Sequence, residues 1–317
     1  MGVIDVLGLI SGAMGLWSFV EDMFPAQEAD HSTFKVFVGL DQTANPSDPG
    51  DCCLTGAGGS IHYSKLFNDR GELIGYGGEE KLSSGSAQTI SMWQKVPQQA
   101  VTTELISNKD AICIAAIGAT LIDGTRWGWV GDWGKICGIN WYYSGVKQPQ
   151  WDNDTPLCTW IDADHSEGIT AAVIAINWPG FTTNVLPTDG GVGKCGNNFG
   201  AWESDGGSSV IINSTANDDG NRDVLNRPRA RDHRLVVSSV PAHSADDLCQ
   251  HPMSRGPDFV SLAERTHCNM HTREVLPLCA DGVTTGCFDL EAETAGRDSS
   301  LARVDAPVVG ASRVIYW

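Results

Sequence analysis

Residues 113–133 read CIAAIGATLIDGTRWGWVGDW. Two short runs, CIAAIGATLI and RWGWVGDW, are rich in β-branched and aromatic residues, and the Asp123-Gly124 turn falls between them. Neither run shows the three-to-four spacing of an amphipathic helix, so both read as strands. The same grammar recurs along the chain. FKVFVGLD, SIHYSKLF, ELIGYGG, NWYYSGV, CTWIDAD, ITAAVIAINW, SSVIINST, HRLVVSSV, DFVSLAE and SRVIYW are all short and bounded by Gly, Pro, Asn or Asp. Only HSADDLC suggests a helix after residue 25. Many short strands at this spacing predict a mainly β fold, a disulfide-stabilised sandwich or barrel rather than βαβ units. The 36 glycines have no triplet period and therefore belong to turns.

Four segments are expected. Residues 1–25 form a hydrophobic helix, residues 33–202 the main β-rich domain, and residues 203–232 a loop or linker. Residues 233–317 form a cysteine-rich, β-rich portion packed on the main domain. The opening MGVIDVLGLISGAMGLWSFVEDMFP carries Gly8, Gly12 and Gly15 at helical spacing among apolar residues. Glycine costs a helix about 1 kcal/mol relative to alanine. Three on one ridge point to close approach by another helix, and Gly8 with Gly12 makes a GxxxG pair. A secretory signal and a membrane anchor are the alternatives. The first has no Lys or Arg before Lys35 to support it, and the second has barely enough apolar length.

Lys and Arg total 21 against 39 Asp and Glu, a net charge of −18. That balance excludes nucleic acid as a general partner and disfavours anionic lipid. One basic stretch, NRDVLNRPRARDHR, reads as a solvated loop. The ten cysteines (Cys52, Cys53, Cys113, Cys137, Cys158, Cys195, Cys249, Cys268, Cys279 and Cys287) suit five disulfides and a secretory route to the cell surface or exterior. The sequons at Asn153 and Asn213 agree with that route.

No nucleophile elbow, HExxH, Walker loop or dinucleotide-binding glycine pattern occurs, and no metal or cofactor is expected. Three constellations remain. The acidic run holds Asp152, Asp154, Asp162 and Asp164, whose carboxylates suit a cation, a sugar site or an ordinary acidic turn. Trp127 and Trp129 share one face of a strand and could stack on a sugar or pack a core. His267, Cys268, His271 and Cys279 have spacings that zinc accepts, but in an exported chain Cys268 is expected to bridge to Cys279 or Cys287.

The tracts WGWVGDWGKICGINWYYSG (127–145), CTWIDADHSEGI (158–169) and the tail from Arg231 to Glu291 resemble a family of uncharacterised cysteine-rich proteins of filamentous ascomycete fungi. The most specific elements are GPDFVS (256–261), Cys268, Pro277-Leu278-Cys279 and Cys287-Phe288-Asp289. The resemblance implies a fungal source and pairing among the tail cysteines, and carries over no site. The expectation is a non-enzymatic protein that self-associates, as oligomer or filament, through the N-terminal helix and β-domain surfaces. Its rivals are a membrane-active effector inserting that helix, and a secreted glycan-binding protein or glycoside hydrolase.

Overall fold

Residues Ile112–Thr120 are buried at every position, and this strand is the axis on which the molecule is assembled. A computed structural model of the chain describes residues 9–12, 15–18, 21–39, 56–146, 155–181, 192–212, 232, 234–279, 285–292 and 313–317. In chain order the strands begin with β1 (Leu9–Gly12), β2 (Gly15–Ser18), β3 (His31–Val38), β4 (Gly59–Phe67), β5 (Leu73–Gly77), β6 (Glu80–Leu82) and β7 (Ala87–Gln94). There follow β8 (Thr102–Ser107), β9 (Ile112–Thr120), β10 (Arg126–Val130), helix α1 (Asp132–Ile136), β11 (Trp141–Tyr143), β12 (Leu157–Ile161), β13 (Val173–Asn177) and β14 (Phe199–Trp202). The tail contributes β15 (Arg234–Ser238), helix α2 (Ala245–Gln250), β16 (Asp258–Ser261), β17 (Thr266–Asn269), β18 (Glu274–Pro277) and β19 (Arg313–Tyr316).

Twelve strands make one antiparallel sheet along the path β11-β12-β9-β3-β7-β5-β4-β8-β13-β14, with β10 on β9 and β6 on β4. The sheet folds over on itself. Phe34 of β3 stacks on Trp178 beyond β13 at 5.9 Å, and Trp129 of β10 stacks on Phe199 of β14 at 5.6 Å. Distant parts of one sheet therefore share a core, which gives a sandwich-like arrangement. The described strands close no barrel.

The outer face over β3, β9 and β10 is covered by residues 21–27. The Thr120 hydroxyl donates to Pro25 O at 2.7 Å, the Thr33 hydroxyl to Ala26 O at 3.0 Å, and Arg126 pairs with Glu21 at 2.8 Å. Gly118 makes room for this cover: a Cβ there would lie 2.0 Å from Met23 O.

The tail builds a second, five-stranded sheet in the order β18-β17-β16-β15-β19. Here β15 runs parallel to both β16 and β19, and α2 lies in the crossover from β15 to β16. One βαβ unit thus exists where none was expected. Its helix is the HSADDLC stretch, capped by the Ser244 hydroxyl, which accepts from Asp247 N at 3.0 Å. Tyr142 and Tyr143 of β11 pack on Phe259 of β16, and Trp141 donates to His251 at 2.9 Å, so one hydrophobic core runs through both sheets.

Among the described residues, four disulfides join Cys113 to Cys158, Cys137 to Cys195, Cys249 to Cys268, and Cys279 to Cys287. The expected bridge from Cys268 to Cys279 or Cys287 is thereby corrected. Strand β17 carries Cys268 beneath α2, whose Cys249 is the nearer partner, and Cys279 closes a short loop to Cys287. Cys52 and Cys53 lie outside the described residues.

The N-terminal helix is corrected too. In its place β1 and β2 pair antiparallel, with Gly12 opposite Gly15. The small residues recur at helical spacing, but glycines in a helix interior are costly, whereas here Gly12 and Gly15 face each other across the strand pair. Gly8 lies outside the described residues. Among the described residues no helix is long and apolar enough to cross a membrane.

Candidate functional site

Strands β4, β5, β7 and β8 lie side by side in the large sheet, and their register sets a row of side chains. Trp93 on β7 is opposite Tyr76 on β5, Tyr76 is opposite Lys65 on β4, and Lys65 is opposite Glu104 on β8. Residues directly opposite in a sheet project from the same face. Strand β7 shows which face this is. Ile90 and Met92 are buried, while Ala87, Thr89, Ser91 and Trp93 alternate outward. Trp93 is an aromatic ring on the polar phase of its strand. It is 42% exposed and Tyr76 58%, with ring centroids 5.9 Å apart in an edge-to-face arrangement. Leu73, 58% exposed, extends the patch.

An ionic group continues the row. Lys65 donates to Asp205 at 2.5 Å and stands 3.7 Å from Glu104. The Tyr63 hydroxyl also donates to Asp205. These hydrogen bonds, the one from Lys65 first, hold the Asp205 carboxyl below the usual carboxylate range, while the bond to Asp205 pushes the Tyr63 hydroxyl up to about 12. Glu104 is shifted upward, because partial burial disfavours its charged form more than Lys65 favours it. Tyr63 and Trp202 shield a small apolar cluster of Ile106 and Val173 at this end of the face.

Beside Glu104 the surface sinks into an open depression of about 380 Å³. Phe67 forms an apolar wall, and Asn68, Asp69, Thr102, Glu104 and Asn177 line the rest. Asn68 is occupied structurally: its Oδ1 accepts from the backbone of Arg70 and Glu72, and its Nδ2 donates to Glu72 and Gln98. The Asn177 amide donates to the Thr102 hydroxyl at 3.2 Å. The face thus offers aromatic rings, hydroxyl and amide groups and a carboxylate within one continuous strip.

The residues singled out from the sequence lie elsewhere. Trp127 and Trp129 are buried, so of the two expected roles they take core packing and not sugar stacking. They project from β10 into the core, where Trp129 meets Phe199. Asp162 is buried, and its Oδ2 accepts from the Ser166 hydroxyl at 2.7 Å. Burial pushes its carboxyl up to about 6. Asp164 accepts from Ser166 N at 3.2 Å, so both carboxylates close their own loop, in which His165 and Glu167 each have φ 58°. Asp152, Asn153, Asp154 and Asn213 lie outside the described residues. Among the described residues no three His, Cys, Asp or Glu side chains gather as a metal would require. Of the zinc-spaced group, Cys268 and Cys279 are in separate disulfides, and His267 stacks on Phe288 at 3.7 Å.

A buried polar chain also ties the tail to the main sheet. His243 has the Thr155 hydroxyl at 2.8 Å on Nε2 and the Ser238 hydroxyl at 2.8 Å on Nδ1. All three residues are buried, which suits a structural tie better than a nucleophile that must meet substrate.

Neither β7 nor β8 has the apolar density of the strands found by reading the sequence. AQTISMWQ largely alternates apolar and polar residues, the mark of a strand buried on one face, and TTELIS has only Leu105 and Ile106 as apolar residues. The usable signal for the site was Trp93, standing where that alternation calls for a polar residue. No protein-family model matches the chain, and no curated protein is significantly similar to it.

Proposed function

We propose that this chain is an exported, disulfide-stabilised glycan-binding protein, and that it binds through the outer face of β4, β5, β7 and β8. One observation carries the proposal: Trp93 and Tyr76 are paired, exposed aromatic rings that continue into polar groups suited to sugar hydroxyls. Aromatic faces pack on the apolar C–H faces of sugars, and adjacent hydroxyl, amide and carboxylate groups fix orientation. The four disulfides agree with an oxidising compartment.

The test is binding to a panel of immobilised glycans, followed by calorimetry on any glycan retained. Trp93→Ala and Tyr76→Ala are expected to weaken binding at least tenfold while leaving thermal unfolding unchanged. Full affinity in both variants would overturn the assignment of this face.

Self-association is the second reading, and the exposed Leu73, on the same strand as Tyr76, favours it. Under this reading a second copy covers the patch. Sedimentation velocity of the full chain would then show an oligomer that Trp93→Ala dissociates. A monomer at tens of micromolar would eliminate it.

A further inference from the structure

The row from Trp93 to Glu104 crosses three inter-strand gaps, a span of about 14 Å. That length suits a short oligosaccharide rather than a single ring. The aromatic end accounts for affinity toward sugars in general. The other end is chemically more selective, and its charge is unbalanced. One ammonium, Lys65, serves two carboxylates. Its short contact goes to Asp205 at 2.5 Å, and Glu104 receives only the longer one at 3.7 Å. Asp69 adds a further carboxylate to the depression.

Resting on the glycan-binding reading above, we propose that this depression selects sugars bearing free amino groups, with Glu104 receiving the ligand's ammonium. The geometry distinguishes this class from its neighbours. An anionic sugar would meet Glu104 and Asp69 as like charges. A neutral sugar would leave Glu104 partly desolvated and incompletely paired, an arrangement that costs free energy. A cationic one completes the pairing, and charge-assisted hydrogen bonds are the stronger kind. The Thr102 hydroxyl and Asn177 amide stand beside Glu104 on β8 and the neighbouring β13, within the same depression, to meet ring hydroxyls. Phe67 offers an apolar wall for the ring itself. Asn68 contributes shape rather than recognition, since its polar atoms are already engaged. The chain's net charge of −18 acts in the same direction at long range, drawing cationic polymers toward the surface.

The experiment is titration calorimetry of the full chain, near pH 6, with three probes of equal length: tetramers of β-1,4-linked glucosamine, N-acetylglucosamine and glucose. The expected result is at least tenfold tighter binding of the glucosamine tetramer, a preference that shrinks as salt is raised. Glu104→Gln is expected to bring the glucosamine tetramer to the affinity of the other two. Asp69→Asn, at a separate carboxylate on the same depression, is expected to reduce the preference by a smaller factor and serves if Glu104→Gln misfolds. Trp93→Ala is expected to weaken all three alike. Equal affinity for the three tetramers, or a preference that survives both carboxylate substitutions, would overturn the amino-sugar assignment. Binding that still depends on Trp93 would in that case leave the broader glycan reading standing. No binding to any of the three, or to a wider glycan panel, would remove both.

Discussion

Two antiparallel pairs in the same sheet carry prominent aromatic residues and put them to opposite uses. On β9 and β10, Trp127 and Trp129 lie in the core, and the outer face is closed by residues 21–27. On β5 and β7 the inner positions are equally buried, but Tyr76 and Trp93 stand on the outer face and remain accessible. The difference lies in which face each ring occupies and in what crosses that face. A strand places alternate residues on opposite sides, so moving one tryptophan by a single position exchanges a core residue for a surface one.

The largest effect expected from testing that contrast is on stability. Trp129→Ala should cost about 3–5 kcal/mol in urea unfolding, as for large aromatic truncations in a packed core. A loss below about 1 kcal/mol would mean that the inner face is not packed as described. Gly118→Val is next. Its side chain would collide with the Met23 carbonyl, and overpacking of this kind costs about 1–3 kcal/mol. It should also turn the covered pair into an uncovered one, with faster proteolysis within residues 21–27 as the readout.

A pH effect follows from His267, whose pKa burial lowers to about 4. Between the unperturbed value near 6.5 and about 4, the unfolded chain binds a proton there that the folded chain refuses. Stability at this site therefore falls as pH drops through that window, on the order of 1 kcal/mol per pH unit, and levels off below it. His251 acts in the same direction, its pKa lowered to about 4 by burial and the Lys135 charge, whereas Asp162, raised to about 6, acts in the opposite one. Unfolding of the chain and of His267→Phe across pH 4–7 isolates the single site. The variant should lose less stability on acidification, and parallel curves would refute the assignment. The smallest expected change is the stability of Trp93→Ala, within about 0.5 kcal/mol, as for ordinary surface substitutions. Placed beside Trp129→Ala, it sharpens the contrast: one tryptophan holds the fold, and the other is available for binding.

How much of this was legible in the sequence depends on the kind of signal. Dense apolar runs such as CIAAIGATLI were found because both faces of β9 are buried and every position reports it. Strands β7 and β8 carry a weaker signal: alternate positions of β7 face water, β8 has only Leu105 and Ile106 as apolar residues, and of the candidate site's row Trp93 and Glu104 lie on these two strands. At the N-terminus, glycines three and four apart are compatible with a helix and with a hairpin. Periodicity over so short a stretch could not separate the two, and pairing between β1 and β2 decided it. The Cys268 partner was misassigned for a related reason. The expectation was Cys279 or Cys287, the cysteines that follow it in the tail, while α2 folding back over β17 brought Cys249 to it.

By itself the sequence determined the mainly β character, the disulfide-rich chemistry and the acidity, and it pointed to HSADDLC as the one helical stretch of the tail. Those properties depend on composition and on neighbours a few residues apart. Only the tertiary structure decided which tryptophans are covered, which cysteines meet, and that Trp93, Tyr76, Lys65 and Glu104 form one row. Each of those outcomes depends on strand register and on segments packing across the sheet, and both are set by contacts between residues far apart in the chain.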